Sequence, residues 1–89
     1  MRIEIRETTT TYINASADGC AQVGFVRPDS RFGISGFCSG DIIVSINGRD
    51  IKSYKDYKGY PFIVGRTYRF VLRSPLGLMH EASIEYAKQ

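Results

Sequence analysis

The sequence predicts one small domain that is mainly β with one or two short helices, an α+β fold of about five to six strands. The chain has 89 residues, which is the length of a single domain. Short runs rich in β-branched and aromatic residues recur along it, and turns rich in Gly, Pro or Asn separate them. Hydrophobic residues make up 43% and charged residues 24%, which is the composition of a folded domain. A sheet that closes on itself or covers a helix is the economical way to bury this much strand surface.

The first third of the chain contains three extended segments. The first alternates polar and apolar side chains, and the second is rich in β-formers. An Asp-Gly pair at Asp18 and Gly19 favours a tight turn before the third segment. These predicted strands cover residues 2–7, 8–15 and 21–26. The Gly-containing segment 29–39 that follows has room for one short helical turn at most.

Residues 41–46 form the most convincing strand of the sequence. Its two faces carry β-branched side chains apart from Ser45, as expected of a buried central strand. Asn47 and Gly48 close it with a dipeptide that favours a tight turn. A short extended piece follows around Ile51.

A short helix is predicted next, followed by a final hairpin. Ser53 and Asp56 have the spacing of a capping box, which marks a helix start. Gly59 and Pro61 keep that helix short, since both disfavour helical backbone nearby. Two antiparallel strands at residues 67–73 and 79–86, joined by a turn at 74–77, complete the chain.

Charge and hydropathy exclude several classes of protein. The net charge is +3, but the Lys and Arg residues are scattered along the chain, so we expect no nucleic-acid partner. No apolar run reaches the ~20 residues of a membrane span, and we expect no membrane contact by this segment. We expect the chain to be one segment of a longer protein. Its cellular location and oligomeric state stay open.

The residue types that perform chemistry give no catalytic or metal-binding pattern. Cys20 and Cys38 lie in different turns, so we expect them not to form a disulfide. His80 lies in a predicted strand with no nucleophile placed beside it, and we expect it to be a surface residue. We therefore expect no enzyme activity, no metal and no cofactor.

The run from Val26 to Gly48 resembles the middle of a PDZ domain. That family has a strand ending in Val, a Pro-containing turn, a Gly-Leu pair and then Gly-Asp-x-Ile-x-x-Val-Asn-Gly. This sequence follows the pattern without a gap, with Phe37 in place of Leu and Ile46 in place of Val. The matching residues form the fold motif and are Gly36, Phe37, Gly40, Asp41, Ile43, Ile46, Asn47 and Gly48. The compact motif is most similar to the PDZ domains of bacterial-type proteases, and the implied fold is a partly open β-barrel or sandwich.

The resemblance implies that the domain binds an extended or C-terminal peptide segment of a protein. PDZ domains add the peptide as a strand beside their second strand and opposite their second helix, and a loop of backbone N–H groups holds the carboxylate. The implied binding residues are Tyr12, Ile13, Asn14, Ala15, Tyr54, Tyr57 and Lys58. The protease-type loop reads aromatic, aliphatic, Gly, aliphatic, and the nearest match is Tyr12 to Ala15, with Asn in place of Gly. The plain alternative is that these four residues are simply a strand.

Two functions of a PDZ-like domain remain open at this point, beside a third interpretation as an unrelated small β-barrel that binds nucleic acid. The first is a substrate-recognition or regulatory module of a bacterial-type protease or secretion protein. The alternative is a structural spacer or docking domain in which the groove is closed and no peptide binds. The short helix favours a shallow groove in either case. The aromatic side chains offer a similar choice, with Tyr57 in the core and Tyr54 and Tyr60 either lining the groove or covering the surface.

Overall fold

A computed structural model of the chain describes residues 11–86, so the strand predicted at residues 2–7 lies outside the described part. The described residues form six strands and two short helices, which confirms the mainly β, α+β fold class. In chain order they are β1 (Thr11–Ala15), β2 (Ala21–Val26), α1 (Arg31–Ser35), β3 (Ile42–Ile46), β4 (Arg49–Asp50), α2 (Tyr54–Lys58), β5 (Thr67–Arg73) and β6 (Met79–Glu85).

All described strands belong to one antiparallel sheet. Its strands lie in the order β1-β2-β3-β5-β6, and β4 pairs with β3 beside this path. The predicted final hairpin is confirmed, since β5 and β6 pair along their whole length. The strand predicted at residues 41–46 begins one residue later, and it lies between β2 and β5 as expected of a central strand.

The core is formed by side chains that alternate along the strands. Ile43 and Ile46 of β3 are almost fully buried, and Phe70 of β5 lies among them with 1% of its surface exposed. The alternation in β5 places Phe70 and its neighbours two residues away on the buried face, as the sequence predicts. Phe62 lies in the connection that follows α2, and its ring contacts those of Tyr60 (4.7 Å between centroids) and Tyr68 (5.0 Å).

Both helices begin at a serine and contain only five residues. The Ser53 side chain accepts a hydrogen bond from the Asp56 amide at 3.2 Å, which confirms the predicted helix start. The carboxylate of Asp56 reaches back to the amide of Lys52 at 2.9 Å. Gly59 ends α2 as expected. Ser30 caps α1 in the same manner. None of the described helices has the length and apolar character needed to cross a membrane.

Candidate functional site

Strand β1 is the described edge of the sheet. Among residues 11–86 it pairs with β2 alone, with Ile13 opposite Val23 and a bulge between Tyr12 and Ile13. The edge of a sheet presents backbone N–H and C=O groups that a further strand can pair with. The edge of β1 therefore has the chemistry needed to accept an extended peptide.

Among the side chains of β1 that the structure describes, Ile13 is the one that packs against the core. It is half-buried and packs against the core, next to the fully buried Val23 of β2. Asn14 and Ala15 are exposed. A strand that paired with β1 would lie beside it in the sheet. Every second side chain of that strand would then point to the same face as Ile13, which is the face that carries the core.

Helix α2 is held against the same face by two contacts. The Tyr54 amide donates a 2.7 Å hydrogen bond to the carbonyl of Gly19, which lies in the turn between β1 and β2. The Tyr57 side chain is 1% exposed and inserts into the core. The helix packs against β2, the neighbour of β1. The first turn of α2 is thus fixed at the end of the β1–β2 hairpin.

Tyr54 and Lys58 lie on one side of α2, because residues four apart in a helix are neighbours. The Tyr54 ring stacks on Tyr57 at 6.1 Å between centroids, and the Lys58 ammonium lies 5.8 Å from the centre of the Tyr54 ring. Tyr54 is half-buried and packs against the core. This side of α2 therefore presents an aromatic ring with a cation next to it.

We use the name β1–α2 groove for the binding region that the resemblance implies between β1 and the Tyr54–Lys58 side of α2, which both neighbour β2. The structure packs Ile13 and Tyr54 against one core. Tyr57 supports the groove from within the core. Tyr12 lies in β1, but its side chain is outside the described part of the structure.

The structure places Tyr12 to Ala15 in a strand, whereas the resemblance implies a loop that binds a carboxylate at this point. These residues belong to β1, which is regular strand apart from its bulge. Among the described residues Asn47 is the one non-glycine residue with positive φ, so Asn14 does not have left-handed backbone. Asn14 is therefore extended, and the plain strand interpretation holds. Residues before Thr11, where such a loop could also lie, are outside the described part.

The fold motif has the backbone and burial that its residue types suggest. Asn47 and Gly48 have φ of 50° and 83°, as a tight reversal between β3 and β4 requires. Gly40 has φ of 91° immediately before β3, and Gly36 ends α1 with φ of 116°. The three apolar members of the motif are buried; they are Phe37, Ile43 and Ile46.

His80 lies in a strand as expected, with 32% of its side chain exposed, and it has a partner that the sequence analysis did not identify. His80 is half-buried, and its Nε2 lies 3.0 Å from Oδ2 of Asp41, whose side chain has no exposed surface. The same carboxylate oxygen accepts a hydrogen bond from the Cys38 amide at 3.1 Å. A signal for this contact exists in the sequence, because His80 has the same strand parity as the buried Ala82 and Ile84.

Metal-ligand clusters and disulfides are not found in the described part of the chain. No group of three His, Cys, Asp or Glu side chains there could hold a metal ion. Cys20 is half-buried and Cys38 is exposed, and both thiols are free. No family model matches this chain, and no curated protein matches it in sequence. The contacts of the β1–α2 groove therefore carry the functional interpretation.

Proposed function

We propose that this domain is a PDZ-like module that binds an extended peptide segment of another protein. The peptide pairs with β1 as an added strand, and its side chains enter the groove between Ile13 and Tyr54. The observation that carries the proposal is that a described edge strand and a helix share one face of the sheet and one core. Backbone pairing would supply most of the affinity in this mode, and the groove would select the side chain.

The fold motif supports the same proposal. The order of elements is two strands, a short helix, two strands, a helix and a final hairpin, which agrees with the order that the PDZ resemblance implies. The turn at Asn47 and Gly48 and the sharp backbone at Gly40 occur where the motif needs them. This agreement supports the PDZ-like interpretation of β1 as the binding strand.

The groove is short, so the binding that we propose is weak. Five helical residues span about 7.5 Å, which is room for one or two peptide side chains. We expect dissociation constants of tens of micromolar, or about −6 kcal/mol. A module of this strength works best when a longer protein holds it next to its ligand, because tethering raises the effective concentration. Substrate recognition or regulation within a bacterial-type protease or secretion protein fits this requirement.

One observation favours the rival function of a structural spacer. Tyr54 packs against the core and the Lys58 ammonium lies 5.8 Å from the centre of its ring, so the two side chains already contact each other without a peptide. A spacer would keep this packing in the presence of any peptide. A binding module would release it when a peptide side chain enters.

NMR titration of the labelled domain with apolar C-terminal peptides separates these functions. Binding should shift the amide signals of β1 and of Tyr54–Lys58 together. Ile13→Ala should weaken the binding, whereas the same change at Ile34, which is 77% exposed on α1, should not. Shifts elsewhere, or none at millimolar peptide, would favour the spacer.

A further inference from the structure

A second concave surface lies where β3 changes its neighbour. At its start β3 pairs with β2, through Gln22 opposite Ile42. At its end β4 takes that side of β3, with Ile46 opposite Arg49. Between β2 and β4, the middle of β3 has no neighbouring strand on this side, and we call this gap the fork. The half-buried side chains of Ile42 and Val44 are accessible there.

Two adjoining concavities occupy this fork. One measures about 310 Å³ and lies between β4 and α2; the other measures about 370 Å³ and lies over β3. Both are lined by Asp50 and Lys52, so they form one continuous surface. We call it the fork surface. Its apolar half is lined by Ile42 and Val44 together with the half-buried Cys20.

The fork surface carries more positive than negative charge. Its lining contains four cationic side chains, which are Arg49, Lys52, Lys55 and Arg73. None of the four forms an ion pair with a described carboxylate, whereas Arg27 elsewhere is paired with Asp29 at 3.3 Å. The two carboxylates of the lining are Asp50 and Asp56, and an oxygen of Asp56 already accepts the Lys52 amide. The electrostatic potential of the fork surface is therefore positive.

The fork surface and the β1–α2 groove use different sides of the same helix. Tyr54 and Lys58 belong to the groove, while Lys55 and Asp56 line the fork surface. Tyr54 is one and two positions from Lys55 and Asp56, so its side chain points away from theirs, whereas Lys55 and Lys58, three positions apart, are neighbours. The two surfaces can be tested separately.

We infer that the fork surface binds an acidic peptide segment of a partner protein, with carboxylates on both sides of an apolar side chain. The carboxylates would pair with Arg49, Lys52, Lys55 and Arg73, and the apolar side chain would cover Ile42 and Val44. A nucleic acid fits less well. The Asp50 carboxylate in the centre repels a chain of phosphates, and the lining residues include no aromatic ring on which a base could stack.

The test is NMR titration with a peptide of Glu and Leu whose two termini are blocked, so that it has no free carboxylate end. Its shifts should fall on Ile42, Val44 and residues 49–52, which lie outside α2. A blocked peptide in which Lys replaces Glu should give none, and one in which Ser replaces Leu should bind several-fold more weakly. The affinity should fall steeply as the salt concentration rises.

Charge-reversal variants give a matched comparison. Lys52→Glu combined with Lys55→Glu should weaken binding about tenfold or more, because both cations line the surface. Arg66→Glu, an exposed residue that does not line it, should change the affinity less than about twofold. Thermal melts would show that all variants fold.

Three results would overturn the inference. They are shifts that map only to β1 and Tyr54–Lys58, equal binding of the Lys peptide, and affinity that the double charge reversal leaves unchanged. Tighter binding of a single-stranded oligonucleotide to the same residues would assign the surface to nucleic acid instead. Failure here would leave the β1–α2 groove untouched, because its ligand and its shifted residues are different.

Discussion

His80 Nε2 and Asp41 Oδ2 lie 3.0 Å apart, and the Asp41 side chain is completely buried. The same oxygen accepts the Cys38 amide at 3.1 Å, while Oδ1 has no hydrogen-bond partner among the described residues. A buried carboxylate is costly to desolvate, so each donor to it matters. This contact connects the start of β3 to β6 across the intervening β5.

A double-mutant cycle on Asp41 and His80 should measure this connection. We expect His80→Ala to lower the free energy of unfolding by about 1.5–3 kcal/mol, because it removes a donor to a charged acceptor. Combined with Asp41→Asn, the two changes should couple by about 0.5–3 kcal/mol. The measurement is urea unfolding at neutral pH. The control is Glu81→Ala, which changes the exposed neighbour of His80. Strict additivity would show that the contact contributes nothing.

Ile43 tests the position of β3 in the core. It is 1% exposed, so Ile43→Ala should cost about 2–5 kcal/mol in unfolding free energy. The same change at Ile34, which is 77% exposed, should cost less than about 0.5 kcal/mol. Equal losses in chemical denaturation would contradict the burial of β3.

Gly33→Ala should lower the stability of the protein, although alanine usually stabilises a helix relative to glycine. Gly→Ala within a helix normally stabilises by about 1 kcal/mol. A Cβ at Gly33 would lie 2.5 Å from the carbonyl oxygen of Arg27 and 2.7 Å from that of Pro28. Both contacts are with backbone, so Gly33→Ala should destabilise by about 1–3 kcal/mol. Thermal unfolding checks the sign, with Ser35→Ala in the same helix as the control. A gain in stability at position 33 would show that α1 does not pack this closely.

Ionisation of Tyr60 should lower the free energy of unfolding at alkaline pH. Burial raises the pKa of Tyr60, the neighbouring Tyr68 raises it further, and Arg49 acts in the opposite direction. The folded state therefore holds the phenol proton more tightly than the unfolded state. The resulting stability is fully present below the unfolded pKa of about 10 and is lost as the pH rises through the folded pKa.

The measurement for Tyr60 is the free energy of unfolding as a function of pH. Above about pH 10 it should fall more steeply in the original chain than in Tyr60→Phe, which keeps the ring and loses the titrating proton. Arg49→Gln removes the cation that lowers the pKa, so it should move the loss to higher pH. Identical slopes for the original chain and Tyr60→Phe would contradict the raised pKa.

Features that depend on neighbouring residues could be predicted from the sequence. The turn at Asn47 and Gly48 and the capped start of α2 at Ser53 each involve two to four successive positions. Strand β5 was predictable with its bounds, because its alternation in hydropathy is local. These signals fix the elements and most of the core.

Contacts between distant parts of the chain could not be predicted in the same way. The partner of His80 is Asp41, which lies immediately before β3, and no local pattern selects it from the other carboxylates. Pro61 signals the end of a helix, but not that Phe62 would then pack among the rings of Tyr60 and Tyr68. The cations of the fork surface come from β4, the connection after it, α2 and β5, so only the fold brings them together.

Strand addition to β1 predicts a periodic response to changes in the peptide backbone. In a strand, successive N–H groups point in opposite directions, so only every second one can pair with β1. N-methylation of a pairing residue should weaken binding about tenfold, since it removes a hydrogen bond and adds a clash. Methylation of the residues between them should have little effect, and these peptides serve as matched controls. The measurement is a set of dissociation constants for a peptide methylated at one position at a time. A loss of affinity at every second methylated position would support pairing along β1. Equal tolerance at every position would mean that the peptide is held by its side chains alone, and strand addition would then be wrong.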